Sequence, residues 1–174
     1  MGYAGGVKPS PTYRSLKDHT EVVQVDYDPE LVSFDSLLSL FWASHNPAAR
    51  LFGRQYMSLI LTADDAQQTA AELGKEQAEA RYGKVHTEIK HLSEFYLAED
   101  YHQKYYLTRV PTLLRELRER YPTFAQFVDS LQVARVNGYV AGYGTSAMLG
   151  AEIDELPLSA EAKRRLQDIV LAHS

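Results

Sequence analysis

The chain has 174 residues, with 18 Lys and Arg against 23 Asp and Glu for a formal net charge of -5, and 45% of it is hydrophobic. That length can bury a real core in one domain, and the acidic balance leaves no basic footprint for nucleic acid. There is no cysteine, which excludes disulfides, thiolate metal sites and cysteine nucleophiles from these residues.

No apolar run approaches the roughly 18 residues that span a bilayer, so no membrane role is expected. The glycine-rich start has neither the basic nor the apolar part of a signal peptide, and cytoplasm is the expected compartment.

Residues 2–12 carry three glycines and two prolines and read as loop. From Thr20 to Asp28 the chain alternates, with Val23, Val25 and Tyr27 on one side and Gln24 and Asp26 on the other, the pattern of a half-buried strand. Ser33 is a good N-cap for a helix over 34–45 whose stripe is Phe34, Leu37, Leu38, Phe41 and Trp42; Asn46-Pro47 ends it. A second strand is expected over 56–62. Thr62 and Asp65 are expected to cap a long polar helix to about Arg81. Val85 to Lys90 alternates as a third strand.

After Ala98 the pattern is helical. Pro111 suits the first turn of one helix, a second runs from about Thr123 to Val136, and a glycine-bearing loop, 138–144, follows. Ser159 caps a last helix to about Leu171. Strands and helices are mixed and the first two strands are joined by a helix, so the fold class is α+β.

Glu21 shares strand parity with Val23, Val25 and Tyr27 and is expected to face the apolar side. A carboxyl group there loses hydration, which favours its neutral form, and a neutral acid can donate a proton or a strong hydrogen bond to an oxygen. The alternative is a strand-end glutamate turned to water or paired with an arginine. Tyr13 and Tyr56 each sit at a loop-to-strand entry, where an uncharged phenol can face a cleft and donate to an oxygen; most tyrosines are packing residues instead.

Glu99, Asp100 and His102 do not all share a helix face, so they read as structural, and no metal or other cofactor is expected. His45 reads as a cap on the dipole of the first helix, and the run from Arg115 to Arg120 as a solvated helix face.

Six stretches add a resemblance: Gly2-Tyr3-Ala4-Gly5-Gly6, Pro11-Thr12-Tyr13-Arg14, His19-Thr20-Glu21, Phe41-Trp42 with His45 and Pro47, Gln55-Tyr56 with Ser58, and Phe95 to Gln103. In that order they resemble the methionine sulfoxide reductase A family, and Asn137-Gly138-Tyr139 looks like its C-terminal loop. The resemblance implies reduction of peptide methionine S-sulfoxide, with a cysteine attacking sulfur and thioredoxin or another thiol donor restoring it. By motif matching, Glu21 is the proton donor to the sulfoxide oxygen, Tyr13 and Tyr56 are its hydrogen-bond partners, and Tyr139 is a further substrate-binding candidate. The implied fold is a two-layer sandwich around a mixed sheet, lacking its first strand and helix. Residues 1–107 would form the core, and 108–174 an added helical insertion and tail packed on it.

The departures from the family are specific. The family's Gly-Cys-Phe-Trp-Gly segment has no counterpart, its aspartate matches Leu51, and its resolving cysteine matches Val140. No residue replaces the thiol, since neither Met57 nor Met148 is a practical substitute. The residue before Gly-Tyr-x-Gly-Gly in the family is commonly valine. GTG encodes valine and also initiates translation, so Met1 is read as an internal valine codon taken for a start. The expectation is a chain that recognises methionine sulfoxide in peptides but is inactive alone, a thiol donor becoming relevant only in a longer, cysteine-bearing product. The alternative is a non-catalytic sulfoxide-binding or protein-interaction module.

Overall fold

A computed structural model describes residues 1–50 and 53–173 and divides the chain into two compact units, Met1–Ala98 and Glu99–Ser174. The first holds every strand among the described residues together with two helices, and the second is helical. The class is α+β as expected, but the unit division falls at Ala98 and not at the expected 107/108 boundary.

The first unit contains two small sheets. β1 (Gly2–Ala4) is central in one, antiparallel to both β2 (Thr20–Val22) and β5 (Phe95–Leu97). The register sets Tyr3 opposite Glu21 on one side and Tyr96 on the other. The expected loop at 2–12 therefore opens with a strand. Its glycine is needed for close approach: a Cβ on Gly2 would lie 2.2 Å from the Phe95 ring and 2.6 Å from the Tyr96 carbonyl.

β2 is shorter than its alternating pattern. The ladder's last pair is Gly2 with Val22, and beyond it Val23 and Val25 are 66% and 55% exposed. Alternation reports side chains suited to a pleated surface, whereas a strand also needs a partner for its backbone.

In the second sheet β3 (Leu59–Thr62) and β4 (Glu88–His91) pair in parallel, which requires a crossover, supplied by α2 (Asp65–Tyr82). The residue capping α2 is Asp64, with extended backbone and Oδ1 accepting from Gln67 N at 2.8 Å; Thr62 instead donates its hydroxyl to Gln68. α1 (Phe34–Ala43) starts at Ser33, whose hydroxyl accepts from Ser36 N, as the sequence pattern predicts. Leu38, Ile60 and Ala71 form the buried centre of this unit, with Phe41 and Trp42 packed against it. His45 Nδ1 donates to the Phe41 carbonyl at 2.8 Å, so it satisfies the end of α1.

The second unit comprises α3 (Tyr105–Thr108), α4 (Pro111–Arg120), α5 (Phe124–Asp129), α6 (Leu131–Val140), α7 (Ser146–Glu152) and α8 (Ala160–Ala172). The helix expected from Thr123 to Val136 is two helices, because Ser130 ends α5 and its hydroxyl accepts from Val133 N to start α6. α6 continues to Val140, and the turn expected from 138 is carried by Gly142 and Gly144 at φ 86° and 102°.

Phe127, Leu113, Leu117, Val133 and Leu166 are wholly buried in a core larger than that of the first unit. The charged run on α4 is less free than its pattern suggests. Glu116 accepts from both N and Oγ of Ser159, at 2.8 and 2.7 Å, and Arg118 bonds Asp100 and lies over the Phe127 ring. Glu116→Ala is expected to lower the stability of this unit by about 1 kcal/mol in urea unfolding, because it frees a helix cap.

Candidate functional site

The site grows out of the turn that follows β1. Gly5 has φ 78°, and a Cβ on Gly6 would lie 2.6–2.8 Å from Asp18. That space lets the Asp18 carboxylate accept from the N–H groups of Val7 and Lys8, at 3.0 and 3.2 Å. Further along the loop Thr12 and Ser15 exchange backbone hydrogen bonds of 3.1 and 2.9 Å, a tight turn with Tyr13 and Arg14 at its tip. Lys17 closes the loop by donating to the carbonyls of Pro9 and Ser10. His19, fully buried, lies 2.7 Å from the Lys8 carbonyl through Nε2 and leads into Thr20 and Glu21.

Arg54 ties this loop to a distant segment. Its Nε donates to the Asp18 carbonyl at 3.1 Å, one NH2 to the Gly5 carbonyl at 3.0 Å, and the other approaches Glu88, which also pairs with Lys90 at 2.6 Å. The Arg54 carbonyl accepts from Thr20 Oγ1 at 2.9 Å, and the Gln55 carbonyl accepts from Glu21 N at 3.0 Å. The strand bearing Glu21 and the stretch bearing Tyr56 are thereby held side by side.

An open cleft of about 390 Å3 results, with Tyr13, Arg14, His19, Arg54, Gln55 and Tyr56 in its lining. The structure thus brings Tyr13 and Tyr56 together in the cleft, while Glu21 is outside its lining and is joined to the lining residue Gln55. The Tyr56 phenol is held above its usual 10.0, first by desolvation, then by Tyr13 and by the charge of Glu21, with a hydrogen bond to Tyr13 in the same direction. It stays a neutral donor at physiological pH.

Glu21 is half-buried, and its Oε1 accepts from Gln55 Nε2 at 2.6 Å. Its expected surroundings need correcting. Val23 and Val25 are solvent-exposed, so they do not form the apolar face inferred from strand parity; the ladder sets buried Tyr3 opposite Glu21, and a glutamine amide holds its carboxylate.

Tyr139 lies in the second unit, on α6. It is 5% exposed, and its hydroxyl donates to Glu152, which also pairs with Arg135. Leu51, the position matched to the family's aspartate, lies outside the described residues. Sequence reasoning gave no role to Asp18, Arg54 or Gln55. A signal was present for Asp18, since two glycines in a turn leave N–H groups that need an acceptor.

A family model described as peptide methionine sulfoxide reductase matches residues 1–129. The chain belongs to that family. A second family model, the helical domain of selenoprotein methionine sulfoxide reductase A, matches residues 127–170 and accounts for most of α6 to α8. The chain is 41% identical to a peptide methionine sulfoxide reductase of Drosophila melanogaster, over 91% of the chain and 65% of that protein. It is 40% identical to peptide methionine sulfoxide reductase A5 of Oryza sativa subsp. japonica, over 90% and 65%. The crystal structure of reduced Mxr1 from Saccharomyces cerevisiae superposes with a TM-score of 0.57 at 32% identity, covering 63% of this chain and 69% of that one. The chain spans less than two thirds of the length of these curated relatives. Among the described residues no helix is long and apolar enough to cross a membrane.

The anchoring of this reductase-family loop has a pH signature. Asp18 is lowered from 3.8, first by the Val7 N–H and then, against some desolvation, by Lys8; Glu88 is lowered from 4.5, chiefly by its bond to Lys90. A depressed carboxyl adds stability above its unfolded pKa and loses it as pH falls through the folded value. Urea midpoints should therefore decline as pH drops below 4.5 and then 3.8, and Asp18→Asn should flatten the lower part of that decline.

Proposed function

We propose that this chain recognises the sulfoxide group of oxidised methionine in peptides, with Glu21, Tyr13 and Tyr56 gathered around its oxygen. The observation supporting this is their convergence from three separate segments, fastened by Arg54 and by the hydrogen bonds between 20–21 and 54–55. A sulfoxide oxygen carries partial negative charge and accepts strongly. Two phenols supply uncharged donors, and the Glu21 carboxyl group is the third group placed to pass a proton to that oxygen as the S–O bond weakens.

Reduction consumes two electrons and two protons and releases water. The electrons come from thiols, which form a disulfide, and these 174 residues contain no cysteine. We therefore assign this chain sulfoxide recognition without reduction, because a thiol free in solution does not replace a cysteine held beside the sulfur. An assay of S-sulfoxide peptide reduction with dithiothreitol should show no turnover by the 174-residue chain. S-selective turnover would overturn that assignment. Binding of the same peptide, weakened by Glu21→Gln, is the positive result expected.

A further inference from the structure

We propose that Gln55 is a positioning residue: its side-chain amide holds one oxygen of Glu21 so that the other is presented to the sulfoxide. The proposal rests on the reading of Glu21 as the donor to that oxygen.

Gln55 and Glu21 are joined twice. Gln55 Nε2 donates to Glu21 Oε1 at 2.6 Å, and Glu21 N donates to the Gln55 carbonyl at 3.0 Å. One residue earlier, Thr20 Oγ1 donates to the Arg54 carbonyl at 2.9 Å, and the Arg54 side chain bonds the carbonyls of Gly5 and Asp18. The Gln55 backbone is thus pinned on both sides before its side chain departs. Its amide reaches Glu21 with little remaining freedom.

The chemical consequence concerns which oxygen carries the proton. A carboxyl group has two equivalent oxygens and, when neutral, one proton. An N–H donor fixed on Oε1 makes that oxygen the acceptor and leaves the proton to Oε2. Tyr56 follows Gln55 directly, so the same stretch of chain places both groups. Without the amide, a half-buried Glu21 is free to turn toward water. Orientation of this kind acts only on a ligand that bears the oxygen.

Calorimetry can separate this role from a structural one by using an S-sulfoxide peptide and the same peptide with unoxidised methionine. The parent protein should prefer the sulfoxide, and lack of any preference would defeat the sulfoxide-recognition reading along with this one. Gln55→Ala should lower sulfoxide affinity about tenfold, with affinity for the thioether peptide unchanged. In a Glu21→Ala background the same substitution should have no further effect. Gln55→Met, which keeps the volume and loses the donor, should reproduce the result and stands in if the alanine variant does not fold. A parent preference that persists in both Gln55 variants, an equal loss for both peptides, or an undiminished loss in the Glu21→Ala background would each overturn the positioning role while sulfoxide recognition stands.

Discussion

Phe127→Ala should lower the stability of the helical unit by about 3–5 kcal/mol, the range for emptying a fully buried aromatic position. Phe127 is 0% exposed and projects from α5, a helix of 6 residues. A helix that short is not stable by itself, so tertiary packing must hold it. Leu113, Leu117 and Leu166 share its core, and the Arg118 guanidinium lies 3.8 Å from the centre of the ring.

Removing the ring therefore opens a cavity and also withdraws the surface that Arg118 covers while bonding Asp100. Urea unfolding followed by far-ultraviolet circular dichroism measures the loss. Phe127→Leu, closer in volume, should lose only about 1–1.5 kcal/mol. An alanine variant within about 1 kcal/mol of the parent would show that α5 is held by something other than its one buried aromatic.

How far these features could be read from the sequence depended on what each signal reports. Ser33, Ser159 and Pro111 mark helix starts because a cap or a missing N–H is a property of one residue and its immediate neighbours. The apolar stripe of α1 was equally legible for the same local reason.

Strands were harder. The alternation from Thr20 to Asp28 promised a long β2 and yielded Thr20–Val22, since pairing depends on a distant segment. Gly2–Ala4 looked like loop because glycine is poor in strands, yet the crowded Phe95 ring makes glycine the residue that fits there. The split at Ser130 was missed because apolar periodicity runs through it, and the serine is outwardly an ordinary helix residue until its hydroxyl is seen to cap.

The candidate site divides the same way. Glu21, Tyr13 and Tyr56 are candidates on the strength of short motifs, which record residue identity without geometry. Strand parity puts Glu21 on a face with Val23 and Val25 that does not form, because parity assigns a face only where the strand continues and β2 stops at Val22. Arg54 and Gln55 are brought in by contacts 34 to 49 residues away in sequence, beyond the reach of any local pattern. Tyr139 shows the reverse limit. A loop motif containing Asn-Gly-Tyr folds here as helix, and its tyrosine ends in a core with a carboxylate on its hydroxyl.

Gly6 stands where the turn after β1 closes on Asp18. Gly6→Ala should weaken sulfoxide binding by more than the tenfold expected for Gln55→Ala and lower stability by about 1–3 kcal/mol. The added Cβ would sit 2.6 Å from Asp18 Oδ1 and 2.8 Å from both the carbonyl carbon and oxygen of Asp18. A carboxylate could rotate away, at the expense of the Val7 and Lys8 N–H groups it accepts from. The backbone atoms cannot move so easily, because the same carbonyl receives Arg54 Nε and the chain passes directly into buried His19 and Thr20. Any shift there is transmitted to Glu21.

Gly5→Ala provides the contrast. Its strain is the left-handed φ of 78°, and its nearest clash, at 2.7 Å, is with the end of the Leu59 side chain, which can yield. Calorimetry and thermal unfolding of both variants should rank Gly6 above Gly5 for binding, even where their melting temperatures are alike. If Gly6→Ala bound the sulfoxide peptide as the parent does, the clasp between Gly6 and Asp18 would not be what sets the position of Glu21.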